Sequence, residues 1–382
     1  MLRARAANRT RSSILRSRRG LALAVALGTI FVVGPAPTAE ARERFDVDLF
    51  ARVPDPGSPE GIAISSDRRV FVGTSPKDGG PLGTRRRSKI FAYSRRGELE
   101  REYLIRGQDL DDPFYGLIGM AFDGRDRLYA ADAAPARIIR LNTSTGRQRT
   151  YTRFRDVPPC STVDRSSNCS DTEGDMKPLP DYPVFARDGT MYVTDLNQAL
   201  IWRVPPGGGR PKVWFTERGF ESVFGPNGIQ FTADGETLLF ALSTEGNPAA
   251  VPQRSAGLYE LRVRRNGSPG KPQQFWESRF TDVPDGFAIA RSGNVYVALA
   301  GTPLGNAVAV VSPKGDEITR TPSSPLANQQ LEVPFDQPAS VAFLGRRALV
   351  TNHALFSRDP NHFAVLDVFA DERGLKLFRP FE

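Results

Sequence analysis

Apolar positions along this chain come in short runs, broken by Gly, Pro, Asp and Asn. Runs such as Leu128-Tyr129-Ala130 and Val295-Tyr296-Val297 suit strands and are too short for helices. No uninterrupted stretch carries a 3.6-residue period of helical length, which argues against alternating βα units. The runs also recur in register. Six segments open a repeat: Pro59-Glu60-Gly61-Ile62-Ala63-Ile64, Gly116-Leu117-Ile118-Gly119-Met120-Ala121-Phe122, Pro180-Asp181-Tyr182-Pro183-Val184-Phe185, Pro226-Asn227-Gly228-Ile229-Gln230-Phe231, Pro284-Asp285-Gly286-Phe287-Ala288-Ile289 and Pro338-Ala339-Ser340-Val341-Ala342-Phe343. Eight positions after Asp181, Asn227 and Asp285 stand the turn glycines Gly189, Gly235 and Gly293. Eleven positions after Glu60, Asp181, Asn227 and Asp285 stand Phe71, Tyr192, Leu238 and Tyr296, each inside a second strand.

A third strand follows in each unit, as at 137–141 and 199–204, and a fourth fits at 99–104, 212–216 and 273–277. The mean spacing from Glu60 to Ala339 is about 56 residues per unit. Four strands per unit and six units predict an all-β, six-bladed β-propeller, with four-stranded blades around a central channel. A ring has no internal boundary, so residues 42–382 are expected to form one domain. Either 44–53 or 375–380 supplies the outer strand that closes the ring and removes an exposed sheet edge.

The 382-residue chain carries a net charge of +8, which by itself invites a nucleic-acid or anionic-membrane partner. The charge is not evenly spread. Residues 1–41 hold seven arginines and one Glu; the arginines all precede a 13-residue apolar run at Leu21–Val33, and a small-x-small site follows at Ala39-Glu40-Ala41. This is the pattern of a secretory signal peptide cut after Ala41. The run is short for a membrane span, which needs about 20 residues. Ser17-Arg18-Arg19-Gly20-Leu21 also partly matches a twin-arginine export signal. The remaining residues carry 44 basic and 42 acidic side chains. A nucleic-acid partner loses its support, and the reading becomes an exported monomer (periplasmic or extracellular) with no membrane span after cleavage. Cys160 and Cys169 suit an exported protein and are expected to form a disulfide in the segment joining blades two and three. That segment is placed to reach over or beside the channel mouth as a lid.

Aligned repeats put aligned residues around one axis. The position after the repeat proline is Glu60, Asp181, Asn227 and Asp285 in blades one, three, four and five, and Ile118 and Ala339 in blades two and six. One such residue commonly caps a turn. Four in one register of a narrow channel repel one another and resist burial. A hard divalent cation resolves this, and calcium tolerates mixed oxygen shells. Magnesium and manganese also suit oxygen ligands, and zinc suits them less well. Asp132, Asp195, Asn352 and His353 stand where second strands emerge toward the same mouth. Each fits either a ligand- or substrate-orienting role or ordinary strand-end hydrogen bonding, and His353 fits either a proton shuttle or a structural histidine.

Pro-Asn-Gly-Ile-Gln-Phe-Thr-Ala-Asp-Gly at 226–235, Pro-Asp-Gly-Phe-Ala-Ile-Ala-Arg-Ser-Gly-Asn at 284–294 and Pro-Glu-Gly at 59–61 resemble the senescence-marker-protein (regucalcin)/gluconolactonase family. The resemblance implies a six-bladed propeller that hydrolyses lactones or related esters with one divalent metal in the channel. It implies that Glu60, Asn227 and Asp285 are metal ligands and that Asp285 serves as catalytic base or nucleophile. The family usually has Asn at the third-blade position, whereas this chain has Asp181 followed by Tyr182-Pro183. Two other readings stand beside the lactonase: a non-enzymatic propeller that binds a ligand or protein and keeps a structural metal, and an enzyme on the related strictosidine-synthase-like propeller.

Overall fold

Each repeat proline opens an innermost strand, a position where its missing N–H costs no ladder hydrogen bond. The computed structural model describes residues 42–76, 85–164, 168–246, 254–301 and 305–381. The predicted leader, residues 1–41 with its cleavage site, lies outside the described residues. The innermost strands are Pro59–Ile64, Leu117–Phe122, Pro180–Phe185, Pro226–Phe231, Pro284–Ile289 and Pro338–Leu344, one in each of six four-stranded sheets. Blades one to five are each four consecutive antiparallel strands. Blade six takes three strands from the C-terminal region and its outer strand, Val47–Arg52, from the N-terminal side, paired with Ala364–Phe369. The protein is therefore a six-bladed β-propeller, closed by the first of the two candidate segments.

The residue eleven places after the repeat position has a packing role. Its ring meets the residue four places after the repeat position of the following blade. Phe71 meets Phe122 at 5.1 Å, Tyr129 meets Phe185 at 5.0 Å, Tyr192 meets Phe231 at 5.8 Å, and Tyr296 meets Phe343 at 5.1 Å between centroids. All four pairs are edge-on, the geometry that aligns ring quadrupoles and is worth about 1 kcal/mol beyond burial. The core is thus a set of apolar layers between neighbouring blades.

The second candidate segment does different work. Residues 373–380 cross the turns at the far end of the ring. The Leu375 N–H donates to the Ile289 carbonyl of blade five (2.8 Å) and the Phe378 ring packs on Phe231 of blade four (5.7 Å). Arg379 donates to the Ile64 carbonyl of blade one, and Gly124 N–H of blade two donates to the Pro380 carbonyl (2.9 Å). One tail therefore straps four blades together at the end opposite the strand starts.

Candidate metal centre and substrate cavity

Every innermost strand is irregular at the same place. Its pairing with the second strand shifts register between Pro59 and Ile62, Leu117 and Met120, Pro180 and Pro183, Pro226 and Ile229, Pro284 and Phe287, and Pro338 and Val341. Such a bulge re-aims the residues inside it. Those residues are the repeat position and its successor. The successor is usually Gly because neighbouring blades nearly touch there. A Cβ on Gly61 would lie 1.9 Å from the Ile118 carbonyl oxygen, and one on Gly228 would lie 2.8 Å from the Asp285 carbonyl oxygen. The Pro-x-Gly motif therefore both packs the ring and presents its middle side chain. Three of the residues just before these strands, Ser58, Val283 and Gln337, have φ of +53°, +50° and +52°. For a β-branched valine that conformation is a strained outlier, held by the surrounding structure.

A cavity of about 560 Å³ opens at the strand-start end. Glu60, Asn227 and Asp285 line it, together with Ile118 from blade two and His353 from blade six. Glu60 is buried, and its Oε2 has no hydrogen-bond partner and lies 3.8 Å from His353 Nε2. Asn227 is fixed by its own amide: Nδ2 donates to Ser243 Oγ at 3.0 Å, and Ser243 Oγ donates to the Pro284 carbonyl at 2.6 Å. That arrangement leaves Asn227 Oδ1 buried with no hydrogen-bond partner. Unpartnered buried acceptors of this kind are rare and call for a donor or a cation. Asp181 is fully buried and does not line the cavity. Its neighbour Tyr182 reaches across the channel instead, its hydroxyl contacting the Ala339 carbonyl at 3.2 Å and Ser340 Oγ in blade six. Burial pushes the Tyr182 phenol well above its usual range, and the charges of Asp285, Asp181 and Glu60 push it further. The three carboxylates thus share one electrostatic neighbourhood around a neutral phenol.

Two carboxylates and an amide oxygen suit a hard cation such as calcium. Among the described residues no group of three His, Cys, Asp or Glu side chains is placed to hold a metal.

The second-strand residues divide by register. Asp132, Asp195 and Asn352 pair with Leu117, Pro180 and Pro338. The next residue along each strand faces the opposite way, and it is this next position that reaches the cavity as Leu196, Ser243, Ala300 and His353. Asp132 accepts from Gln108 Nε2 (2.9 Å) and Arg137 Nε (2.8 Å), and burial raises its pKa to about 6. Asp195 accepts from Leu179 N–H (3.0 Å), Gln198 N–H (3.0 Å) and Trp202 Nε1–H (2.9 Å). Asn352 accepts from Asp336 N–H (2.7 Å) and donates to the Pro334 and His362 carbonyls (both 2.9 Å). None of the three lines the cavity, and each ties down a loop at its wall.

The Cys160–Cys169 disulfide is formed. The segment after it runs to the mouth, where Gly174 and Met176 line the cavity. It is pinned by Glu221, whose carboxylate accepts from the backbone N–H groups of Glu173 (2.6 Å) and Gly174 (2.7 Å), and by Gln198, which donates to the Met176 carbonyl (2.8 Å). Sequence reasoning did not find Ser243, Gln337 or Glu221. Glu221 comes from a loop without a repeat, whereas Gln337 stands just before a repeat proline and Ser243 is the blade-four equivalent of His353.

The fold and site define a six-bladed propeller with oxygen donors gathered at one mouth of its channel. Residues 216–352 match the family model described as the SMP-30/Gluconolactonase/LRE-like region, which bears out the resemblance carried by the motifs at 226–235 and 284–294. That span contains Asn227 and Asp285. Among solved structures, the chain is similar to the calcium-binding protein regucalcin of Agrobacterium tumefaciens, with 17% identity, 88% of this chain and 97% of that chain covered, and a TM-score of 0.57. It is similar to a gluconolactonase of Xanthomonas campestris at 17% identity, covering 86% and 88% of the two chains with a TM-score of 0.52. It is also similar to virginiamycin B lyase of Staphylococcus aureus at 12% identity, covering 85% and 98% with a TM-score of 0.52. At these identities the likeness is one of fold. No curated protein matches the sequence significantly.

Proposed function

We propose that the protein is an exported, divalent-cation-dependent hydrolase of lactones or related esters. The observation that carries this reading is the pair of buried, unpartnered oxygens, Glu60 Oε2 and Asn227 Oδ1, on a cavity that Asp285 also lines. Glu60, Asn227 and Asp285 would hold the cation, calcium foremost, with Asp181 adding negative charge nearby. Such a cation supplies Lewis-acid polarisation of a carbonyl oxygen.

The chain's own residues supply the rest. Asp285 takes a proton from a water that adds to the substrate carbonyl carbon. The tetrahedral adduct collapses, the acyl C–O bond breaks, and the proton returns from Asp285 to the departing alkoxide. The product of a lactone is one hydroxy acid. His353, beside Glu60, holds the inner wall of the site and fits a role in carrying protons to and from it. The apolar walls limit the water that reaches the carbonyl.

Export rests on the leader pattern of residues 1–41, and protein recovered outside the cytoplasm should begin at Arg42. The function is tested by lactone and phosphotriester hydrolysis with and without chelator. Lactone turnover that chelator abolishes and calcium restores is expected, with Asp285→Asn losing at least 100-fold in kcat while remaining folded, as loss of acid-base catalysis would give. Turnover retained by Asp285→Asn with cation bound refutes the base. Cation binding without turnover of any ester refutes the hydrolase and favours a ligand-binding propeller.

A further inference from the structure

We propose that the substrate is an uncharged lactone or ester carrying a long apolar chain, not a polyhydroxylated sugar lactone. This deepens the preceding reading and rests on it for the reaction, though not for the binding.

Four of the described large hydrophobic side chains that are exposed gather at one place. Phe114, Met176, Val223 and Phe356 are 49%, 50%, 41% and 63% exposed, and all four line the cavity. Scattered exposed hydrophobics need no explanation, but a cluster on a concave mouth marks a binding surface. The wall below them is also apolar. Ile118, Leu179 and Leu196 form a buried cluster there, with Phe224 packed against it. The cavity volume of about 560 Å³ is that of a site for a drug-sized ligand.

Above the floor, five polar wall residues already spend hydrogen-bonding groups on the protein. Glu221 accepts the two backbone N–H groups of the disulfide-linked segment. Gln337 Oε1 accepts from the Phe356 N–H (2.7 Å), Ser222 Oγ contacts Thr244 Oγ1 (2.8 Å), and Asn197 Nδ2 donates to the Lys177 carbonyl (3.1 Å). Ser243 is held between Asn227 and the Pro284 carbonyl. A sugar lactone offers a hydroxyl on nearly every carbon, and burying each without a partner is unfavourable. An alkyl chain asks only for area. No described Lys or Arg side chain lines the cavity, while Glu60, Asp285 and Glu221 do, so a carboxylated or phosphorylated chain is repelled. The polar head therefore sits on the oxygen donors at the floor, and the chain runs up the wall to the four rim residues.

Two measurements test this separately from the chemistry. The first is kcat/KM for δ-valerolactone, δ-octalactone, δ-decalactone, δ-dodecalactone and glucono-δ-lactone. The second is binding of the corresponding non-hydrolysable δ-lactams, and of the gluconolactam, by calorimetry. Both kcat/KM and lactam affinity should rise about two- to fourfold per added methylene until the rim is passed, with the sugar compounds at least 100-fold weaker. The double variant Met176→Ser/Phe356→Ser should flatten that slope while leaving calcium affinity unchanged. Lactam affinity that climbs with chain length, without turnover of any lactone, would support the apolar site and overturn only the hydrolase. Equal or better binding of the gluconolactam, or a flat chain-length series, would overturn the inference.

Discussion

Replacing Asp195 by Asn separates a scaffold residue from a site residue. The carboxylate is fully buried and accepts from Leu179 N–H and Gln198 N–H on Oδ1 and from Trp202 Nε1–H on Oδ2. An asparagine keeps one acceptor oxygen, which serves the two backbone donors. Its NH2 group then faces the indole N–H, so one hydrogen bond to a charged acceptor is lost and a buried donor is left without a partner. Those losses are worth about 2–4 kcal/mol together. They are partly offset because burial raises the Asp195 pKa, which means the charge itself is disfavoured in place. A net destabilisation of about 2 kcal/mol is expected. For a domain of roughly 340 residues this lowers Tm by about 3 °C. Leu179 and Leu196 flank this carboxylate in the cavity wall, yet Asp195 itself does not enter the cavity. kcat/KM should therefore stay within about twofold of wild type, well under the tenfold that 1.4 kcal/mol of transition-state stabilisation represents. Calorimetric Tm and lactone kinetics on Asp195→Asn, Trp202→Phe and the double variant read this out. The two substitutions should couple by about 1–2 kcal/mol, because removing the indole N–H removes the orphan donor. An unchanged Tm with kcat/KM down tenfold or more would refute the reasoning and make Asp195 part of the site.

Cys160→Ser should lower stability by about 2–3 kcal/mol in the chain-entropy picture, and raise KM more than it lowers kcat, because the linked segment carries Met176 to the rim; thermal melts and steady-state kinetics check both. Tyr182→Phe removes the hydroxyl contacts to Ala339 and Ser340 and should cost about 1 kcal/mol by denaturant titration, with no loss of fold. Asp234 caps the blade-four turn, accepting from Glu236 N–H, Thr237 N–H, Thr232 Oγ1 and Thr237 Oγ1, and these bonds outweigh burial to lower its pKa from 3.8 to about 2. A lowered carboxylate stabilises above its unfolded pKa and loses that contribution as pH falls from about 4 to about 2. Asp234→Ala should then cost about 1 kcal/mol at neutral pH, after allowing for solvent screening at this exposed turn, and only a small part of that near pH 2; acid titrations of Tm for both proteins check this.

The ring was legible because its regularity is physical. The eleven-residue step exists because that side chain must meet the next blade, as Tyr129 meets Phe185 and Tyr296 meets Phe343. The third strands were legible as short apolar runs that are buried almost throughout, as at 307–311 and 89–93, and the fourth strands, mostly open, by their place after them. The closing strand was not, because 47–52 and 375–380 are both short and apolar enough to pair, and only the sheet geometry selects between them. Glu60, Asn227 and Asp285 could be aligned on their proline. Asp132, Asp195 and Asn352 stand one residue short of the cavity-facing position, and a period of two turns one residue into the opposite face. The bulge that decides which face is which has no residue signature beyond the glycine within it. Asp181 shares the register, yet Tyr182 stands where four of the other blades have glycine, and its hydroxyl reaches across the channel to blade six. The rim of Phe114, Met176, Val223 and Phe356 lies on loops with no repeat, so nothing in the periodicity marked it.

The central claim is that the oxygens at the channel mouth hold one divalent cation. The most direct measurement is calorimetric titration of calcium into chelator-stripped protein, wild type beside Glu60→Gln and Asn227→Ala. One calcium per chain in the wild type is expected, with affinity at least tenfold weaker in each variant and the fold retained by circular dichroism. No saturable calcium binding by the wild type, or binding that neither variant weakens, would contradict it.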